Sequence, residues 1–410
     1  MSAVHKASVE EHNHRGTPVL SGVSADFAAP MALPSLRAAE PGDGRLRVLF
    51  VIGCLHGGGT ERVLLRLLSG LDRGRFRPSL ALFEARGALL SQVPADVPVL
   101  DCGRRGSGGQ VRWFFRLARL LETERPHVVV SFLWFANAVT VLARGLARST
   151  ARVVVSERST VEGSREGAVV EGLRRAAITA LYPRADRVTA NSQSLRRQLE
   201  RRLGRRASRV VWMPNPVDLG TPVPGEPQEG RGEHGPPVVL GLGRLSPEKG
   251  YDLLIRALEQ VPHPARLVLV GEGRQEGELR RLAGELGLAE RVEFTGFLHD
   301  PGPLLRRASV FVLPSRYEGF PNALLEAMAA GLPCVATRCP TGPEEIITDG
   351  ADGLLVPTED PSALAAAIRR LLGDGALRAR LGRAAAGRVA PFAVPAAVAR
   401  FEALLEEVCA

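Results

Sequence analysis

From residue 45 onward, short apolar runs alternate with amphipathic stretches. RLRVLFVI (45–52) leads into the turn HGGGT and then into ERVLLRLLSGL (61–71), whose apolar spacing predicts a helix. Further runs follow at SLALF (79–83), HVVVSF (127–132), ARVVVSE (151–157), RVTANS (187–192) and RVVWMPN (209–215). They are rich in β-branched residues, as expected for strands covered on both faces in a parallel sheet. The stretch 218–237 is rich in Pro and Gly, has no period, and reads as an interdomain linker. A second alternation then predicts strands at 237–243, 265–271, 291–296, 309–315, 334–337 and 353–357. Helices are expected at about 250–260, 275–286, 321–331 and 361–372. The fold class is therefore α/β, two Rossmann-like units in tandem with their parallel sheets facing across a cleft. Residues 1–43 read as a disordered tail, 44–217 as the first unit and 238–390 as the second. The amphipathic segment 391–410 is expected to pack back on the first unit.

The 410 residues supply 45% hydrophobic and 24% charged side chains, a globular composition that exceeds one core. Residues 1–43 hold no sustained apolar run, so neither a signal peptide nor an anchor is expected there. The longest apolar stretch, 128–143, is too short for a bilayer and contains Ser131, Asn137 and Thr140. Five scattered cysteines match no metal or disulfide pattern and read as core thiols of a cytoplasmic protein. Charge is lopsided: residues 1–220 carry +14 and residues 221–410 carry −5. The basic half suits an anionic membrane surface or a phosphorylated acceptor. Its aromatics are few and its basic residues scattered, which argues against nucleic acid.

Two stretches concentrate the chemistry. GLGRLSPEKG (241–250) is a Gly-rich turn leaving the first strand of the second unit, with cations at Arg244 and Lys249. Glycines let the backbone approach an anion and the next helix start favours negative charge, so a phosphate fits here. Of 53 basic residues only Lys6 and Lys249 are lysines, which singles Lys249 out. A dinucleotide fingerprint would need Gly at 246, where the chain has Ser.

The second stretch, PSRYEGFPNALLEAMAAGLP (314–333), holds two carboxylates. Gly319 and Pro321 break any helix through Glu318 and start one near Pro321, so Glu318 stands on a loop. Glu326 falls in an otherwise apolar helix and needs donors, either an internal Arg or a ligand with adjacent hydroxyls. A ribose diol suits its two oxygens. A diphosphate would then meet the free N–H groups at Gly319 to Asn322 with Arg244 and Lys249, and a sugar would lie at Glu318. That is the outline of a nucleotide sugar.

These residues resemble a family. EGFPNALLE is similar to the Glu-x7-Glu signature of the family 4 retaining glycosyltransferases of GT-B fold, and GLGRLSPEKG to their phosphate loop. PNPVD (214–218) looks like their interdomain junction and 340–357 like the segment after the signature, so the resemblance runs from about 45 to 390. It implies that Glu318 orients the donor sugar and that Arg244 and Lys249 stabilise the leaving diphosphate without a metal. Glu326 would bind the ribose, with Gly319, Phe320, Asn322 and Leu325 around it and Gly58 and Gly59 approaching the diphosphate from across the cleft. No cofactor is implied beyond the donor substrate, with UDP favoured as its nucleotide. GGGTERVLLRLL (57–68) and VVSERS (154–159) are similar to members that act on lipid-linked or polysaccharide acceptors, which would place the enzyme at the inner face of a membrane. Many members have a His at the strand end near 131, where this chain reads SFLW. On the acceptor side His56, Glu157 and Asn191 are the candidates. Competing readings are a nucleotide-sugar epimerase of the same fold, an NAD-dependent oxidoreductase and a non-catalytic binder of sugar nucleotides.

Overall fold

The computed structural model describes residues 43–104, 112–158, 168–218 and 235–410. The first sheet contains β1 (Leu46–Ile52), β2 (Phe76–Leu82), β3 (Val99–Asp101), β4 (Val128–Phe132), β5 (Arg152–Glu157), β6 (Arg187–Ala190) and β7 (Val210–Trp212). The second contains β8 (Val238–Leu242), β9 (Arg266–Val270), β10 (Val292–Gly296), β11 (Val310–Leu313), β12 (Cys334–Thr337) and β13 (Leu354–Val356). Their orders are β3-β2-β1-β4-β5-β6-β7 and β10-β9-β8-β11-β12-β13. All pairings between these strands are parallel; Leu46 opposes Phe76, for example, and Val128 opposes Arg152. The apolar runs of the sequence thus become two doubly wound sheets.

In each sheet the order reverses next to the first strand, between β1 and β4 and between β8 and β11. Such a reversal opens a crevice beyond the carboxyl ends of the strands. The loops after β1, β8 and β11 contain the Gly-rich turn 57–59, the turn 243–250 and Glu318 respectively. Sheet topology alone therefore gathers most of the predicted chemistry.

The helices are α1 (Gly59–Gly70), α2 (Arg112–Glu124), α3 (Trp134–Leu146), α4 (Ala168–Ala180) and α5 (Gln193–Leu203) in the first half. The second half adds α6 (Tyr251–Glu259), α7 (Glu276–Glu285), α8 (Gly302–Arg307), α9 (Asn322–Ala329), α10 (Pro343–Ile346), α11 (Pro361–Gly373) and α12 (Gly375–Arg388). The chain closes with α13 (Val394–Cys409). This last helix lies on the first sheet, where Phe401 and Phe50 rings sit 5.9 Å apart. A Cβ on Gly70 of α1 would come within 2.6 Å of Val398, so glycine permits the close approach of α1 and α13. Val217 donates to Phe392 O at 2.7 Å and accepts from Val394 N at 3.0 Å, so the chain's two passages between the sheets run side by side.

Several elements depart from the sequence reading. Strand β3 is a three-residue edge whose Asp101 accepts from the N–H groups of Gly103 and Ala85, too short to show as an apolar run. Helix α12 has no counterpart among the expected helices because Gly375, Gly382 and Gly387 and its arginines interrupt any apolar stripe. Its Gly382 packs so closely on the carbonyl of Gly331 that a Cβ would lie 2.3 Å away. The tail (residues 1–42) and most of the linker (219–234) lie outside the described residues. All five cysteines are free; Cys102, Cys334 and Cys339 are buried, whereas Cys54 and Cys409 are only half-buried. Burial pushes the Cys102 and Cys339 thiols up to about 12. Among the described residues no helix is long and apolar enough to cross a membrane.

Candidate active site

The two crevices merge into one cleft of about 650 Å³ lined from both halves. On the second half, Lys249 Nζ donates to Glu318 Oε1 at 2.7 Å, and Ser315 Oγ donates to the same oxygen at 2.6 Å. Glu318 is only 7% exposed, so the pair is largely shielded from water. The loop carrying it is pinned by Thr341, whose hydroxyl donates to the Glu318 carbonyl. Gly250 precedes α6 with a φ of 66° and passes so close to Pro314 O that a Cβ would approach to 2.2 Å. Glycine is needed there on both counts, and it lets the Lys249 turn nest against the loop that bears Glu318. Beneath them, burial and the neighbouring Glu318 charge hold the Tyr251 phenol well above its ordinary range.

Helix α9 begins at Asn322, after Pro321. Its first N–H groups have no intrahelical partners and carry the positive end of the helix dipole. Gly319, Phe320, Pro321 and Asn322 line the cleft beside Lys249 and the exposed Arg244. From the opposite wall come His56, Gly58 and Gly59. Asn322 Nδ2 donates to Gly59 O at 3.1 Å, and a Cβ on Gly59 would come within 2.9 Å of that nitrogen. The two glycine turns and the α9 start thus form a cradle of backbone with two cations, suited to a diphosphate. Among the described residues no three His, Cys, Asp or Glu side chains converge as metal ligands.

Glu326 lines the cleft one turn into α9 and is bonded by Arg66 of α1, Nη2 to Oε1, at 2.7 Å. Of the two donors open to it in the sequence, an internal Arg is therefore present. Arg66 is itself fixed by Pro216 O at 3.0 Å. Neighbouring Arg62 donates to the carbonyls of Leu298 and His299, and burial draws its guanidinium below its ordinary range.

Two predicted site residues lie elsewhere. Leu325 is fully buried in the core between α9 and the second sheet and does not line the cleft, because it lies about 100° round the helix from Glu326. Glu157 is also fully buried: it takes Arg174 at 3.0 Å and the Tyr182 hydroxyl at 2.6 Å, and does not line the cleft. Its neighbour Arg158 does, together with Asn191. Arg158, Arg66, Glu61 and Asn215 join the site without a sequence signal of their own, although each stands inside a segment that carries other candidates. Burial pushes the Glu61 carboxyl above its ordinary range, against the opposing pull of its own backbone N–H and of Arg244.

Residues 57–221 match the model of Glycosyltransferase Family 4, and residues 236–374 match that of Glycosyl transferases group 1. The chain belongs to the family 4 glycosyltransferases. The chain is 38% identical over 229 residues to an exopolysaccharide phosphotransferase of Streptomyces coelicolor, covering 55% of this chain and 24% of that protein. It is 27% identical over 346 residues to an N-acetylgalactosaminyltransferase of Campylobacter jejuni named for a diphospho-undecaprenol-linked acceptor. That match covers 79% of this chain and 89% of the relative. The chain spans less than half the length of the first curated relatives it matches, 24%, 42% and 41%. In fold it resembles HepE of Anabaena, solved with UDP-glucose, with a TM-score of 0.77 and 24% identity over 88% of this chain and 100% of that one. The two sheets accordingly have the GT-B fold.

Proposed function

We propose that the protein is a retaining glycosyltransferase that moves a hexose or N-acetylhexosamine from a nucleoside-diphosphate sugar to a glycan or lipid-linked acceptor, without a metal. The observation that carries this is the Lys249–Glu318 pair at the switch point of the second sheet, beside the α9 start. Lys249 and Arg244 offset the negative charge that grows on the departing diphosphate, the role a divalent cation would otherwise fill. Glu318 holds the sugar, and Glu326, with lone pairs left over after its Arg66 bond, holds the ribose diol. The bond from the anomeric carbon to the diphosphate oxygen breaks, and the acceptor oxygen bonds to the same face. The acceptor's proton leaves on the diphosphate. UDP is the favoured nucleotide, in keeping with the UDP-glucose bound to HepE.

A lipid-linked acceptor implies work at a membrane, and one surface favours this. Among the described residues the large exposed apolar side chains, Phe115, Leu142, Leu146, Val169, Val170 and Leu173, all belong to α2, α3 and α4. These helices are neighbours in the fold and carry exposed arginines 112, 119 and 175, with exposed Arg148 just past the end of α3. Apolar groups flanked by cations suit an anionic lipid surface.

The test is a thermal-shift panel of UDP-, GDP- and ADP-sugars, followed by UDP release with and without glycan acceptors. The expected result is stabilisation by UDP-sugars and acceptor-dependent release. Epimer formation without an acceptor would point instead to an epimerase of the same fold.

A further inference from the structure

On the acceptor wall one buried cation has only neutral partners. Arg158 follows β5 and is 7% exposed. Its Nε donates to Ser156 Oγ at 2.8 Å and its Nη1 to Asn215 Oδ1 at 2.5 Å, while the guanidinium lies over the Phe132 ring at 5.3 Å. The adjacent Glu157 carboxylate accepts from Arg158 only through the backbone N–H, at 3.2 Å. Burial draws the Arg158 guanidinium down to about 10. The Glu157 charge opposes this fall only in part, and no carboxylate is hydrogen-bonded to the guanidinium itself, an arrangement that is costly to keep unless something else helps to neutralise it.

Beside it stands a second unmet group. Asn191, at the end of β6, is 2% exposed and lines the same cleft. Its Nδ2 donates to Arg158 O at 3.2 Å, and its Oδ1 has no hydrogen-bond partner. Buried amide oxygens are rarely left so, and here a ligand hydroxyl is the natural donor. Arg158 is also locked in place: Asn215 passes the contact on to Asn322 Oδ1, and Asn322 reaches Gly59 O. The guanidinium is thus preorganised for a planar or tetrahedral oxyanion.

We propose that Arg158 and Asn191 form an acceptor subsite for a phosphorylated sugar, with a phosphate oxygen on Arg158 and a neighbouring sugar hydroxyl on Asn191 Oδ1. This deepens the transferase reading and rests on it for the word acceptor. A glycosyl phosphate or a diphosphate-linked glycan would present both groups together. The alternative source of the phosphate is the donor itself, and the test separates the two.

N-acetylglucosamine 1-phosphate and its neutral methyl glycoside are titrated calorimetrically into the protein, with and without UDP. The phosphate is expected to bind more tightly than the glycoside, to weaken with added salt, and to bind in the presence of UDP. Arg158→Gln should weaken it at least ten-fold while changing UDP affinity less than two-fold. Because Arg158 also braces β5, Asn191→Asp serves as a second variant; it keeps the shape and sets a carboxylate against the incoming phosphate, with the same expected loss. Equal binding of phosphate and glycoside, or no effect of either variant, overturns the subsite. An equal loss of UDP affinity, or displacement of the sugar phosphate by UDP, assigns Arg158 to the donor and also overturns it. UDP is titrated separately, so its failure to bind would count against the donor reading while the sugar phosphate still decides the subsite.

Discussion

Arg66 Nη2 and Glu326 Oε1 meet at 2.7 Å, joining α1 of the first sheet to α9 of the second across the floor of the cleft. Their side chains are 19% and 14% exposed, so the bond is stronger than a surface pair and holds the carboxylate in one orientation. Arg66→Ala should leave Glu326 in place but loosely held, raising the donor dissociation constant about 5-fold. Arg66→Lys, which keeps charge without the fork, should recover part of this. Unchanged donor affinity in both variants would remove Arg66 from the site.

Lys249 Nζ is aligned by its bond to Glu318, on the side of the cleft proposed for the diphosphate. A group that acts on charge developing only as the bond breaks affects turnover more than binding. Lys249→Met is therefore expected to lower kcat by about 100-fold or more while the dissociation constant of UDP moves only several-fold. A normal kcat would exclude the leaving-group role.

In the proposed mechanism Arg244 and Lys249 take the part of a divalent ion. Turnover in excess EDTA is expected to equal that in added Mg²⁺ within about two-fold, well under one factor-of-ten step in barrier terms. Loss in EDTA with full recovery on Mg²⁺ would contradict the metal-free mechanism.

Glu61 gives a pH prediction for stability. Its folded carboxyl is raised above the ordinary value of 4.5, chiefly by burial. The folded state therefore binds this proton more tightly than the unfolded chain, and the associated stability is present below 4.5 and lost as pH rises through the raised folded value. Glu61→Gln should raise the melting temperature relative to wild type at pH 7, and the gain should shrink toward pH 4. A gain of the same size at both pH values would mean that ionisation of Glu61 is not its cause.

Much of this was legible in the sequence because buried parallel strands write themselves as uninterrupted β-branched runs. Glu318, Lys249 and the start of α9 were legible for local reasons: a Gly-Pro break, a lone lysine among arginines, and a Gly-rich turn. What stayed hidden depends on contacts between distant segments. Arg66 looks like any polar position on an amphipathic helix until α9 is laid against it. Arg158 and Glu157 are adjacent in one motif, and nothing local says which of the two faces the cleft. The alternation of side chains at the end of β5 buries Glu157 under Tyr182 and leaves Arg158 at the wall. Leu325 shows the same limit from the other side, since the helix phase was set by Glu326 but the packed face is set by the sheet beneath it.

In the proposed function this cleft holds a nucleotide sugar with its ribose on Glu326. Calorimetric titration of UDP and of 2′,3′-dideoxy-UDP into wild type and Glu326→Ala tests it most directly. Wild type should bind UDP about ten-fold or more tightly than the dideoxy analogue, as expected for hydrogen bonds to a charged group, and the variant should bind the two alike. Equal affinity of wild type for both ligands, or a preference that survives in Glu326→Ala, would mean that Glu326 does not hold the ribose.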